Sequence, residues 1–456
     1  MNVTTQKIAQ FCEKLVFDNL PDEVVGRTKT LILDTVGIIV RARNESESTA
    51  SLMSAIGKLG MSQGVCNVFG DNGCYTPSAA ALINGTLAHS LDFDDTHAEA
   101  SLHASAPILP AVLAAAQLVE ASGKEIVTAM ALGFEIHIRL GKAVDAGDHY
   151  RRGFHPTATC GIFAAAAAAG KILGLSQEQY ISAFGIALSQ TAGAMQFLVD
   201  GAWTKRLHVG QASQNGLMAA VMAGDNFKGP ANSIEGKWGF FRNYATNADD
   251  EKATNRLGEH WDTMTLGVKP YPSCRYSHAA IDAVIEMSEK HALSLESDLE
   301  IHVGLPKRGF GVIGEPLDLK QHPKSIVDAQ FSMPFSAAVA FRERSFVWDD
   351  YSRHLNDEKT LALCKRVTVS IDDIAEASSP ENMSANVRII MGGTSFERFV
   401  KVPKGEPTNF MSEDDFKEKF RGLCEPFLPK PRVESLIENI LAIEQLDDAS
   451  SNLFAL

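Results

Sequence analysis

The sequence predicts a mainly α-helical protein that combines a large all-helical domain with a smaller α+β unit. From the N-terminus to about residue 265, apolar residues recur every three or four positions, in segments separated by Gly, Pro or Asn. After about Gly267 short alternating or β-branched runs replace this pattern, and from Ser412 the helical pattern returns. We therefore expect three parts: an all-helical domain over residues 1–266, an α+β unit over residues 267–402, and C-terminal helices over residues 403–456 that pack back on the helical domain.

The helical part shows ordinary helix ends. Its first segment, MNVTTQKIAQFCEKLVFDNL, has charges inside the apolar pattern and predicts an amphipathic helix, without the apolar core of a signal peptide. The segment 107–122 has prolines in its first turn and Gly123 after it, and the segment 157–173 is closed by Gly174. Many of these segments are rich in Ala and Gly, which predicts a compact bundle with closely spaced helix axes.

The α+β unit is predicted from strand-like runs at 299–303, 366–371, 385–391 and 395–402. The residues 391–394, Met-Gly-Gly-Thr, lie between the last two runs and predict a hairpin turn. Helices are expected over 331–341 and 361–366, and Ser412 with Asp415 resembles a capping box that starts the C-terminal helices.

Composition and charge exclude several classes of function. The chain has 456 residues, of which 45% are hydrophobic and 21% charged, and these values are ordinary for a globular protein. A net charge of -14 disfavours nucleic acid or an anionic membrane as the main partner, because both would be repelled. Seven scattered cysteines form no CxxC pair, which predicts reduced thiols and no zinc or iron–sulfur site. We expect a cytoplasmic protein that does not span a membrane, since the longest apolar run is too short.

The stretch HSLDFDDTHAEASLHASAPILP concentrates aspartate and histidine between apolar helical segments. If residues 86–97 are helical, His89, Asp92 and Thr96 share one face, while the pair Asp94-Asp95 points elsewhere. One helix would then present a base, an acceptor and a hydroxyl to one cleft. The alternatives are a solvated acidic loop and buried polar residues that only hold helices together.

A second histidine lies at the start of a predicted helix. In GFHPTATCG, His155 comes just before a helix whose first turn holds Pro156 and Thr157. A helix N-terminus disfavours imidazolium and attracts anions, so His155 suits a neutral base beside a carboxylate substrate. A histidine that only caps a loop is the alternative.

Two further segments supply positive charge. In GAWTKRLHVGQA, Lys205 and Arg206 precede a helix of small residues, and a solvated surface pair is the default interpretation. In KPYPSCRYSH, two prolines stiffen a segment in which Lys269, Arg275 and His278 are basic, at the predicted boundary between the two parts. Cations gathered in an acidic chain indicate a small polyanionic substrate.

Two other motifs are rejected. The residues 309–314 match GxGxxG after a strand-like run, but Pro316 and Pro323 follow where a dinucleotide-binding fingerprint needs a helix, so we predict a loop. The pair Asp94-Asp95 is similar to the aspartate-rich motif of isoprenoid synthases, which binds Mg²⁺ and diphosphate. The chain lacks DDxxD spacing and a second motif of this kind.

With HSLDFDDTH, GFHPTATCG, WTKRLHVGQA and KPYPSCRYSH in this order, the chain resembles the MmgE/PrpD family over nearly its whole length. That family includes 2-methylcitrate dehydratase, cis-aconitate decarboxylase and iminodisuccinate epimerase. The resemblance implies a homodimer in which each subunit has an all-helical domain and an α+β lid, with the active site between them. It implies a small anionic carboxylate substrate and neither metal nor organic cofactor.

The resemblance also implies a set of pocket residues, which fall here on Asp92, Thr96, His103, His155, Lys205 and Lys269. We expect His103 and His155 to act as base and acid, in an order left open, with Asp92 orienting a histidine. Lys205 and Lys269 would stabilise developing negative charge. Substrate binding is assigned to Thr96, Lys269, Cys274, Arg275 and His278.

Two departures separate the chain from the mammalian decarboxylase of this family. Cys274 stands where that enzyme has a histidine, and Phe335 replaces its tyrosine. The first expectation is therefore a metal-independent hydro-lyase on a 2-methylcitrate-like hydroxy-polycarboxylate. An epimerase or isomerase of a dicarboxylate comes second and a cis-aconitate-type decarboxylase third. A Mg²⁺-dependent isoprenoid synthase and a helical dimeric scaffold are alternatives from other classes.

Overall fold

The computed structural model describes residues 4–295 and 298–454, and the chain is mainly α-helical, as predicted. It divides into two compact units. Unit 1 comprises the chain up to Gly267 together with the segment from Phe416 onward, and unit 2 comprises Val268–Asp415. None of the helices within the described ranges is long and apolar enough to cross a lipid bilayer.

Unit 1 consists of helices and one two-stranded ribbon. The helices before the boundary at Gly267 are α1 (Thr4–Lys14), α2 (Asp22–Glu45), α3 (Thr49–Lys58), α4 (Pro77–Ala88), α5 (Ser105–Val119), α6 (Gly123–Ala143), α7 (Ala146–Arg151), α8 (Pro156–Thr159), α9 (Gly161–Ile172), α10 (Gln177–Leu188), α11 (Phe197–Asp200), α12 (Thr204–Gly224), α13 (Phe240–Tyr244) and α14 (Asp250–Thr254). The ribbon pairs β1 (Cys66–Asn67) with β2 (Cys74–Tyr75) in antiparallel register. Short 3₁₀ turns lie at Phe17–Asn19 and Asp262–Thr265.

Small residues allow the central helices of unit 1 to lie close together. Helix α12 packs against both α4 and α9. A Cβ on Gly85 of α4 would lie 2.9 Å from the Cα of Gly210 of α12, and a Cβ on Gly210 would overlap the hydroxyl of Thr86. A Cβ on Gly216 would likewise overlap Ala165 of α9. These contacts place the first turn of α12 near the end of α4, where the candidate site begins.

Unit 2 contains a four-stranded mixed sheet. Its elements are α15 (His278–Lys290), β3 (Glu300–Leu305), α16 (Lys307–Gly309), α17 (Leu317–Lys320), α18 (Ile326–Gln330), α19 (Met333–Glu343), α20 (Asp350–His354), α21 (Glu358–Cys364), β4 (Val367–Ile371), α22 (Asp373–Glu376), β5 (Ala385–Met391) and β6 (Thr394–Val400), with a 3₁₀ turn at Arg275–Ser277. The strand order is β4-β3-β5-β6, parallel between β3 and β4 and antiparallel elsewhere. Helix α15 packs on β5 and β6.

The four predicted strands are confirmed, and so is the hairpin turn between the last two. Met391 pairs with Thr394, and Gly392 and Gly393 both have positive φ, at 58° and 74°. A type I′ hairpin turn requires two consecutive residues with positive φ, and glycine adopts positive φ without a steric penalty. The GxGxxG segment, in contrast, is not a plain loop: it forms the end of α16 and one π-helical turn, Phe310–Gly314.

The chain ends in α23 (Glu413–Cys424), α24 (Lys430–Leu441), a 3₁₀ turn (Ile443–Gln445) and α25 (Ala449–Phe454). Ser412 and Asp415 form the reciprocal capping contacts expected from the sequence. The Asp415 amide donates to Ser412 Oγ over 3.2 Å, and the Ser412 amide donates to Asp415 Oδ2 over 2.9 Å. From Phe416 onward these helices belong to unit 1.

The contact between α4 and α12 generates a prediction. Gly210→Ala should lower the free energy of unfolding by about 1–3 kcal/mol, because the new methyl group overlaps α4 at Thr86. Gly422→Ala is the matched control, since Gly422 is exposed in α23 and a Cβ there meets nothing within 4 Å. The control should be neutral or raise stability by about 0.5–1 kcal/mol. Urea unfolding of both variants measures this, and equal effects would contradict the close helix contact.

Candidate active site

The aspartate- and histidine-rich stretch is a buried loop between α4 and α5, so the expected helix over 86–97 is wrong. Helix α4 ends at Ala88, and Asp92 has a positive φ of 52°. Aspartate tolerates this left-handed conformation better than most residues, and it reverses the local direction of the chain. His89 and Asp92 therefore do not share a helix face with Thr96, and Asp94 turns towards His89 instead of away from it.

Asp94 is fully buried and lies between two imidazoles. Its Oδ2 is 2.7 Å from Nδ1 of His89, and its Oδ1 is 3.3 Å from Nδ1 of His103. Although burial alone would raise the pKa of Asp94, the two histidines hold it well below its usual range. An ionised carboxylate only accepts hydrogen bonds, so His89 presents Nδ1–H to it. The longer contact of His103 Nδ1 falls outside hydrogen-bond geometry. The Nε2 of His89 has no hydrogen-bond partner among the described residues.

Two histidines of this cluster are neutral at pH 7. Burial lowers the pKa of His89 to about 4, with Lys205 and His103 adding to the effect and Asp94 opposing it. Burial also holds the pKa of His155 well below its usual range, and the neighbouring histidines and Lys205 act in the same direction. The His155 ring stacks on that of His89 at 5.6 Å and lies tilted against that of His208 at 5.9 Å. Neither nitrogen of His155 has a hydrogen-bond partner among the residues that the structure describes.

Asp95 closes the loop that contains His103. Its carboxylate accepts hydrogen bonds from the backbone amides of Ala104, over 3.0 Å, and Ser105, over 3.1 Å, at the start of α5. Burial and the charge of Asp94 raise the pKa of Asp95 to about 7. The His103 amide donates in turn to Thr157 Oγ1 over 3.2 Å. These contacts hold the backbone on both sides of the His103 ring.

A cation lies beside this loop, in the first turn of α12. Lys205 Nζ is 2.8 Å from Asp92 Oδ1. Burial disfavours the ammonium ion, but Asp92 and Asp94 outweigh this cost and raise the pKa of Lys205, which stays charged. Arg206 lies 3.3 Å from the hydroxyls of both Ser46 and Ser48. The default interpretation of Lys205 and Arg206 as a solvated pair is therefore wrong.

Backbone hydrogen bonds to Gly267 hold Thr96 in place, and they do not involve its side-chain hydroxyl. Its amide donates to Gly267 O over 2.8 Å, and Gly267 N donates to Thr96 O over 2.9 Å. The buried Thr96 Oγ1 has no hydrogen-bond partner within residues 4–295 and 298–454. The neighbouring His97 is structural: its Nδ1 accepts from the Ala100 amide, and its Nε2 contacts Thr265 Oγ1 at 2.8 Å.

The other predicted site residues lie in unit 2. Lys269 is buried, and Arg275 forms a close ion pair with Glu406. His278 Nε2 lies 3.3 Å from the carbonyl oxygen of Ser273. The half-buried Cys274 donates its backbone amide to Gln330 O over 2.9 Å. Phe335 is the second of the two departures from the mammalian decarboxylase. It is fully buried, and its ring stacks parallel to that of Tyr351 at 5.9 Å.

Within the described part of the chain, two groups of side chains could hold a metal ion. His89, Asp94 and His103 each offer one ligand atom within 4.8 Å of the others, and Glu343, Asp350 and His354 form a similar group in unit 2. Imidazole and carboxylate together suit zinc or non-haem iron. Binding in the first group through Nδ1 of His89 would require this nitrogen to lose its proton, and with it the hydrogen bond to Asp94.

Sequence reasoning missed several residues of this cluster. Asp94 and Asp95 were expected to point elsewhere, and His208 was not singled out within WTKRLHVGQA. The density of aspartate and histidine between Ala88 and Ser105 was the available signal. The pairing of His89 with Asp94 depends on the turn at Asp92, and no periodic pattern encodes that turn.

Comparisons with known proteins match this chain over almost its full length. A model of the MmgE/PrpD N-terminal domain matches residues 6–253, and a model of the MmgE/PrpD C-terminal domain matches residues 271–445. A cis-aconitate decarboxylase of Aspergillus terreus is 27% identical, over 98% of this chain and 94% of its own. A cis-aconitate decarboxylase-like protein of Aspergillus oryzae is 28% identical, over 99% and 96%. The human cis-aconitate decarboxylase is 27% identical, over 98% and 93%.

The burial of His89 predicts a pH-dependent stability. Its pKa is about 4 in the folded chain and about 6.5 when unfolded, so between these values the unfolded chain binds more protons and stability rises with pH. The slope from this group alone is about 1.4 kcal/mol per pH unit. Asp95 has a raised pKa, so its contribution makes stability fall as pH rises. The wild type and a variant at His89 both contain Asp95, so this contribution cancels in their difference.

The variant His89→Asn tests this, because its amide can still donate to Asp94. The wild type loses stability as pH falls from about 6.5 to about 4.5, because unfolding lets His89 bind a proton. The variant lacks this group, so its free energy of unfolding should rise relative to that of the wild type over the same range. Urea unfolding at several pH values in this window measures the difference. A difference that does not change with pH would contradict the buried neutral state of His89.

Proposed function

Because this chain belongs to the MmgE/PrpD family, we propose that it is a lyase acting on a small polycarboxylate by proton transfer at a carbon next to a carboxylate. The specific reaction we propose is metal-independent dehydration of a 2-methylcitrate-like hydroxy-polycarboxylate. The observation that supports this most is the carboxylate of Asp94 shared between two imidazoles, close to the charged Lys205. Such a cluster can move a proton and stabilise an anion in one place.

We propose His103 as the group that takes and returns the proton. Its Nδ1 faces Asp94, its Nε2 points away from that contact, and its side chain is 16% exposed, so substrate can reach it. Nε2 would accept the proton from substrate carbon, while the Asp94 carboxylate lies beside Nδ1 of the same ring. That proton then reaches the departing hydroxyl group, which leaves as water while the alkene forms.

The remaining groups would bind and polarise the substrate. His155 has no carboxylate partner in the structure and a pKa far below neutrality, so it acts as a neutral imidazole that donates or accepts a hydrogen bond. Lys205 would bind a substrate carboxylate and stabilise the enediolate that follows proton removal. The free hydroxyl of Thr96 is a further substrate contact. The assignment of Lys269, Cys274, Arg275 and His278 to substrate binding stays a prediction from the sequence.

Decarboxylation of cis-aconitate is the second candidate. It is favoured by the similarity to proteins of that name over 98–99% of the chain. The same groups suit it, because loss of CO₂ leaves a carbanion that the His103 imidazolium would protonate. Cys274, in the position of a histidine, is the feature that favours dehydration. Epimerisation uses the same proton transfer without loss of a group, and membership of this family leaves no support for the isoprenoid synthase alternative.

We expect the reaction to be directly observable by proton NMR. EDTA-treated protein is incubated in D₂O with 2-methylcitrate, citrate, cis-aconitate or iminodisuccinate. The proposal predicts that 2-methylcitrate loses water to give an alkene. Release of CO₂ from cis-aconitate would instead establish the decarboxylase, and deuterium uptake without net conversion would indicate an epimerase. Absence of all three reactions would contradict this substrate class.

The two histidines are tested separately. His103→Gln and His155→Gln should each reduce turnover on the order of 10²- to 10⁴-fold, while urea unfolding changes little. His322→Gln is the control, because His322 is an exposed residue of unit 2 that follows α17 and its C-cap. The assignment is wrong if either site variant loses stability and activity in the same proportion, or if the control loses activity as they do.

A further inference from the structure

A buried lysine of the C-terminal helix α23 contacts the loop of the candidate site. Lys419 Nζ lies 2.6 Å from Asp34 Oδ1 of α2, and the two side chains are only 6% and 1% exposed. The same ammonium group donates to the carbonyl oxygen of Phe93 over 3.2 Å. It also lies 3.7 Å from the centre of the Phe93 ring. One cation therefore binds both the backbone and the side chain of Phe93.

Phe93 is the residue between the two carboxylates of the site. Asp92, on one side, pairs with Lys205, and Asp94, on the other, pairs with His89 and His103. The chain at Asp92 is in the left-handed conformation, which is a local strain that neighbouring contacts must maintain. The contacts of Lys419 with Phe93 act directly next to this residue.

We propose that Lys419 is a positioning residue, which acts through Phe93 to hold Asp92 and Asp94 in their working orientations. This inference rests on the proposed function for its effect on turnover. A buried ion pair contributes little to the stability of a helix contact, because apolar side chains of similar volume usually stabilise it as well or better. Only a cationic donor, however, can bind Asp34, a carbonyl oxygen and a ring face at once.

The alternative is that Lys419 only neutralises the charge of Asp34. A double variant distinguishes this alternative from the proposed positioning role. Lys419→Met leaves the Asp34 carboxylate buried without this partner, so it should lower stability and activity together. Combining it with Asp34→Leu replaces the ion pair by an apolar pair and should restore the unfolding midpoint. We expect the double variant to keep a kcat reduced on the order of 10- to 100-fold, with little change in KM. Lys419→Arg should retain part of kcat, because it keeps charge and donor.

A second readout does not depend on any substrate. Histidines labelled with ¹⁵N in the full chain report by NMR which ring nitrogen carries the proton. In the wild type, His89 and His103 should both carry it on Nδ1, facing Asp94. The double variant should lose this pattern for at least one of them, while its unfolding midpoint matches the wild type. Lys430→Met, at an exposed position that starts α24, is the control and should leave both readouts unchanged.

The proposal is overturned if the stable double variant retains wild-type kcat and wild-type histidine tautomers, since Lys419 would then only neutralise Asp34. If the wild type is inactive on every substrate tried, the proposed function fails, but the tautomer measurement still decides whether Lys419 orders the loop. The two failures are therefore distinguishable.

Discussion

The candidate site depends on one constraint, the burial of the Asp94 carboxylate. A carboxylate removed from water loses several kcal/mol of hydration free energy, unless charged or polar partners replace the water. That loss is on the order of the net free energy of unfolding of a protein. His89 and His103 provide that replacement from opposite sides. His89 uses Nδ1 for a hydrogen bond to this carboxylate, and Nδ1 is also the nitrogen of His103 that faces it. The need to pair one buried charge thus sets the orientation of two imidazoles.

The roles that we propose for the three histidines follow from how each ring is buried and paired. His89 is enclosed, so burial keeps it neutral even beside an anion, and it serves to hold Asp94. His103 has the same anion but partial access to solvent, which suits proton transfer. His155 has no carboxylate partner among the described residues, and burial keeps it a neutral imidazole. The His103 ring lies 4.6 Å and the His155 ring 5.6 Å from that of His89, so three identical side chains of one cluster differ through their surroundings alone.

Contacts between distant segments of the chain hold this loop. The close approach of α4 and α12 at Gly85 and Gly210 brings Lys205 to Asp92. The C-terminal helix adds Lys419 on Phe93, more than 300 residues away in sequence. Charges of both signs are thereby concentrated at this loop, within a core that also contains buried aromatic side chains and other buried charged groups.

The sequence by itself determined the mainly helical character of the chain, its four longer strands, the Gly392-Gly393 turn and the segments rich in aspartate and histidine. These features follow from periodicity and turn chemistry, which act over a few residues. Only the tertiary structure decided that α4 stops at Ala88 and that Asp94 pairs with histidines while Asp92 pairs with a lysine. The physical reason is that a buried charge is stable only beside its partners, and packing brings those partners from remote parts of the chain.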